Sequence, residues 1–152
     1  PPAPASATPE GVAWMNQFCA AVRDVQLGIW QVPVADGVDS PEELRAAARR
    51  MFDGAAAALA AGTERLTALA DPPVDGGAAA VRGLTDRFGT ARRQVEEGRA
   101  RMEHGDPGTV LDATWPKVVA VAARPFEGVD LTAGMRAAGD GPGCAGIAGW
   151  PR

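Results

Sequence analysis

The chain has 152 residues, 46% of them hydrophobic, with 32 Ala, no Tyr and a formal net charge of −4. That length fits one domain with a core of its own, and that apolar content excludes disorder throughout. The acidic balance speaks against a nucleic-acid partner, and no apolar run approaches the roughly 18 residues of a membrane-spanning helix.

Residues 1–9, PPAPASATP, are too rich in Pro, Ala, Ser and Thr to build a core. They read as a flexible tether ahead of a domain over 10–152. Such stretches follow a removed signal peptide or a lipid-modified cysteine, so export is expected, with room for a lipid anchor upstream.

A first helix is predicted over Glu10–Trp30. Met15, Phe18, Cys19, Val22, Val25 and Ile29 recur at steps of three and four and share one face. Val32-Pro33-Val34 ends it, because proline lacks a donor and restricts its predecessor. The second helix has the clearest start: Ser40 as cap, Pro41 at the first position, glutamates following. Leu44, Ala48, Met51, Ala55, Leu59, Gly62, Leu66 and Leu69 form its stripe, a seven-residue repeat. Asp71-Pro72-Pro73 stops it.

A third helix begins near Asp75-Gly76-Gly77. It carries Val81, Leu84, Phe88, Ala91, Val95, Gly98 and Met102, with His104 in its last turn and Gly105 as terminator. Asp106-Pro107 opens a fourth, lined by Val110, Leu111, Trp115, Val118 and Val121 or Ala122. Pro116 inside it predicts a kink or a split. A short fifth helix is expected over Leu131–Ala138, followed by a loop, Gly139–Gly143, leading to Cys144.

The expected fold is therefore all-α: an antiparallel up-and-down four-helix bundle with a short extra C-terminal helix. An even number of passes returns the chain to the level where it began. Cys19 and Cys144, the two cysteines, can then meet without strain, and one disulfide would close the bundle. The alternative is two buried free thiols in a cytosolic protein. Closure of so long a loop stabilises by about 4–5 kcal/mol on the chain-entropy argument. An Ala- and Gly-rich core gains little from each helix contact, so the cross-link has a physical purpose.

No residues stand out as catalytic, cofactor-binding or metal-ligating. His104 is the single histidine, without the second imidazole a metal site usually has. Ser6 and Ser40 are the only serines, and Ser40 is explained as a cap. The pairs Glu42/Glu43 and Glu96/Glu97 read as solvated helix charge, not as glycosidase carboxylates. The clusters Arg45, Arg49, Arg50 and Arg92, Arg93, Arg99, Arg101 read as surface charge ahead of phosphate or lipid-headgroup binding. Gly62 and Gly98 lie on core stripes, which favours close helix approach over space for an apolar ligand. Trp30 with Val32 and Val34 forms either an exposed apolar patch at one bundle end, of the kind that marks a partner site, or a cap on the core. Trp14 and Trp115 are the other candidate contacts.

Two segments resemble small exported helical-bundle proteins and lipoproteins of actinobacteria. They are Trp14-Met15-Asn16-Gln17-Phe18-Cys19-Ala20-Ala21-Val22 and Leu131 through Cys144-Ala145-Gly146-Ile147. Fourteen arginines against the single Lys117, with abundant Ala, Gly, Pro and Val, agree with a GC-rich genome. The resemblance implies an envelope location and a disulfide-tied bundle, and transfers no catalytic residue. The expected function is binding without catalysis, as an envelope interaction or accessory protein. The alternative is a carrier of a small apolar ligand or lipid, lined by Trp14, Trp115 and the helix glycines.

Overall fold

A computed structural model describes residues 6–151. Part of the expected tether, residues 1–5, and the C-terminal Arg152 lie outside the described residues. Within them the chain is helical without strands: α1 Pro9–Trp30, α2 Pro41–Thr67, α3 Gly77–Arg101, α4 Pro107–Ala123, α5 Ala133–Ala138 and α6 Pro142–Ala145.

Side-chain caps set most starts. Thr8 accepts from Gly11 N–H, so α1 begins at Pro9. Ser40 and Asp106 accept from Glu43 and Thr109 N–H, each with proline following. Thr132 caps α5 by accepting from Met135 N–H, which moves its start to Ala133 and leaves Leu131 buried ahead of it.

Three expectations change. First, α4 runs unbroken through Pro116 instead of splitting. Pro116 and Asp112 both face solvent, so water can satisfy the carbonyl that the missing N–H leaves free. Second, Thr114, not Trp115, takes the core position on α4; Trp115 and Leu111 are half-buried. Third, the expected C-terminal loop contains a one-turn helix, α6, with Cys144 inside it.

Contacts fix how the long helices meet. Along α1 and α2, Trp14 Nε1–H donates to Ala70 O at 2.9 Å, Asp24 pairs with Arg65, and Gly28 faces Ala58. Numbers rise on one helix as they fall on the other. The same holds for α2 and α3, where Asp53 pairs with Arg99 and Arg49 with Glu103. It holds again for α3 and α4, where Gly98 faces Thr114 and Arg87 Nη2 donates to Arg124 O.

One face of α1 holds the C-terminal segment. Cys19 and Cys144 form a disulfide with Cα atoms 5.2 Å apart across 125 residues. Four residues on, Arg23 donates to Gly143 O; three further, Gln26 donates to Ala122 O and Ala148 O, each at 2.9 Å. Beside this line a row of rings, Trp14, Phe18, Phe126 and Trp150, joins α1 to the turn after α4 and to the tail, with neighbouring centroids 5.3–6.3 Å apart.

Two glycines permit the close approach of the helices. A Cβ on Gly62 would overlap the side chain of Val25, and one on Gly98 would come within 2.9 Å of Thr114 Oγ1.

Candidate functional site

The α1–α2 connection is the candidate site. Pro33 stops α1, and the last turn closes with Gln31 N–H on Leu27 O and Val32 N–H on Ile29 O. Val32 then turns inward: its Cγ2 lies where a Cβ on Gly54 of α2 would be 3.0 Å away. Three residues on, Ala35 N–H donates to Met51 Sδ at 3.4 Å. The loop is thus tacked to α2 at Val32 and Ala35.

Val34, between these anchors, and Trp30, at the end of α1 just before them, face out. Trp30 is 50% exposed and Val34 67%. Of the three residues expected to form the patch, two are open to solvent and the third holds their backbone in place. Beside them is a depression of about 250 Å³ lined by Val34, Asp36, Val38, Ala47 and Arg50 among others. Leu27, one turn before Trp30, is also exposed. The sequence contained a signal for it, since Leu27 falls off the core stripe.

The other two candidate tryptophans are used within the fold. Trp14 is 5% exposed, stacked on Phe18 with its N–H on Ala70 O. Trp115 is half-buried, 6.4 Å from Phe52 centroid to centroid. The space at Gly62 and Gly98 is filled by Val25 and Thr114. Depressions larger than the one beside Val34 lie on the surface, one of about 290 Å³ against Trp14, Leu69 and Val81. One of about 480 Å³ runs between α3 and α4 past Arg87 and Lys117; another of about 430 Å³ lies over Phe126 and Leu131.

Among the remaining charged candidates, several arginines take structural parts. His104 is exposed in the turn after α3, which ends at Arg101. Arg45 donates to Met102 O and Gly105 O, fastening that turn to α2. Arg49 and Arg99 bridge α2 and α3, and Arg92 pairs with Glu96 along α3. The hydrogen bond and charge of Asp53 raise the pKa of Arg99. Asp106 accepts from both N–H and O–H of Thr109, which lowers its pKa below the ordinary carboxylate value. Among the described residues no three His, Cys, Asp or Glu side chains gather where a metal could sit. No helix there is long and apolar enough to cross a membrane.

Compared with known proteins, the chain matches no family model, no curated protein and no solved structure. What can be said of its function therefore rests on its own residues.

Proposed function

We propose that this protein acts by binding, without catalysis, as an exported interaction or accessory protein of the cell envelope, and that its contact surface is the end of α1 with the loop after it. The observation that carries this is the exposure of Trp30 at the end of α1 and of Val34 in the loop after it, on a backbone pinned by Val32 and Ala35. An exposed Trp on a fixed backbone loses little entropy on docking and offers a large apolar area, the usual chemistry of an interface anchor.

The supporting frame is an antiparallel four-helix bundle of α1 to α4 closed by the Cys19–Cys144 link. The opposed register of successive helix pairs supports that arrangement. A disulfide between fully buried sulfurs, 125 residues apart, supports an oxidising compartment. The Pro/Ala-rich first residues and the resemblance to small exported actinobacterial proteins and lipoproteins point the same way, toward a secreted or envelope-anchored chain.

A carrier of an apolar ligand between the helices is the weaker reading. Its lining would be Trp14, Trp115, Gly62 and Gly98; the space at Gly62 and Gly98 is taken by Val25 and Thr114, Trp115 packs near Phe52, and the depression that Trp14 borders, about 290 Å³, opens to the surface.

The test is purification of the native exported protein and its Trp30→Ala variant in parallel, with mass spectrometry for bound proteins and lipids. A protein retained by the native form and lost by the variant is expected. Retention of the same protein by both, or of a lipid alone, would overturn the reading.

A further inference from the structure

Four carboxylates, Asp36, Asp39, Glu42 and Glu43, fall within eight residues of the α1–α2 connection, and their sum equals the net charge of the entire chain. The rest of the sequence is charge-balanced. No Lys or Arg occurs between Arg23 and Arg45. All four carboxylates are exposed, and none takes part in the ion pairs of the described residues, which use Asp24, Asp53, Glu96, Glu103 and Glu127. Glu42 and Glu43 occupy the first turn of α2, where the helix dipole favours them. Asp36 and Asp39 lie outside any helix and have no such local reason.

Asp36 lines the same depression as Val34, and all four carboxylates follow Trp30 within 13 residues of sequence. The basic groups near by are largely committed: Arg45 to the carbonyls of Met102 and Gly105, Arg49 to Glu103. Arg50 stands at one wall of the depression, with Asp36 also in its lining. The depression, at about 250 Å³, has room for an aliphatic side chain.

Building on the proposed contact surface, we infer that its partner is a basic polypeptide segment with an aliphatic anchor. Lysines or arginines of the partner face Asp36, Asp39, Glu42 and Glu43. One aliphatic side chain enters the depression beside Val34, and Trp30 covers the neighbouring apolar surface. Anionic partners, whether nucleic acid or an anionic lipid surface, meet like charge here. The field of four unpaired carboxylates speeds encounter and sets orientation, while the apolar contact holds the complex.

A fluorescence-anisotropy titration tests this with two labelled peptides of alternating residues, one of Lys and Leu and one of Glu and Leu. The native protein is expected to bind the Lys–Leu peptide and not the Glu–Leu peptide, with affinity falling at least tenfold in 0.5 M salt. The loop variant D36N/D39N, which leaves both helices their natural sequence, should weaken binding several-fold. D71N/D75N, a pair at the α2–α3 connection, should leave it unchanged. Equal binding of both peptides, or an equal loss from both amide variants, overturns the basic-partner inference while leaving the contact surface standing. Lys–Leu binding that Trp30→Ala does not weaken instead places the contact away from Trp30 and overturns both.

Discussion

The side-chain amide of Gln26 donates to the carbonyl of Ala148, 122 residues later in the chain, at 2.9 Å. The same nitrogen donates to Ala122 O at the end of α4. Gln26 is only 2% exposed and Ala122 is fully buried, so the Ala122 carbonyl cannot readily exchange this donor for water. Replacement by Leu keeps the volume and removes the donor. The expected cost is about 1–3 kcal/mol, the penalty for leaving a buried acceptor, Ala122 O, unpaired. Urea unfolding of Gln26→Leu against the native protein measures it. Amide exchange should show residues 146–150 losing protection before the helices do.

The disulfide should account for a larger share. On the chain-entropy argument a closed loop of this length contributes about 5 kcal/mol. The C19A/C144A variant should lose up to that amount in urea unfolding. Losing less than about 1 kcal/mol would mean that Arg23, Gln26 and the aromatic row already hold the tail without it.

Gly62 should resist even alanine. Exchange of Gly for Ala inside a helix normally gains about 1 kcal/mol, but here the new methyl group meets Val25. Net destabilisation of about 1–3 kcal/mol is expected for G62A, as for other overpacked cores. Val25→Ala in the same chain should recover part of it. That coupling, read from a double-mutant cycle, separates helix contact from propensity.

Much of this was legible in the sequence because it is local. Ser40-Pro41 and Asp106-Pro107 announced their helices to the residue, since a cap and a first-position proline act within four positions. The pairing of Cys19 with Cys144 was the expected outcome, with two free thiols as the alternative, and the two are joined. Gln26 and Thr114 were not seen, because a polar residue on an apolar face reads as a gap in the stripe. For Gln26 a signal existed: Cys19, Val22, Gln26 and Ile29 step by three and four, so it completes the heptad. For Thr114 none did, because Trp115 beside it fits the same period and is more apolar. Whether Trp30 would cap the core or face solvent was equally illegible. That depends on Val32 of the loop meeting Gly54 of α2, a contact between residues 22 positions apart.

Acid should weaken the start of α4. The bonds from Thr109 hold the Asp106 carboxyl below its ordinary pKa. A group with a depressed folded pKa stabilises above its unfolded value and loses that stabilisation as pH falls through the folded one. Thermal unfolding of the native protein and Asp106→Ala should therefore differ at pH 7 and converge below about pH 4, near the ordinary Asp range. A constant difference down to pH 2 would show that the carboxylate form is not what caps the helix.

The most direct test of the account asks whether the Trp30–Val34 surface meets a partner where the protein naturally works. A photo-crosslinking side chain in place of Val34, 67% exposed and outside every helix, should yield one discrete protein adduct in the native setting. The same group in place of Glu97, exposed on α3, should yield none. Trp30→Ala should abolish the adduct from position 34 without shifting thermal stability. Adducts of equal yield from both positions, or an adduct from position 34 that survives Trp30→Ala, would contradict the claim that this protein binds through the end of α1.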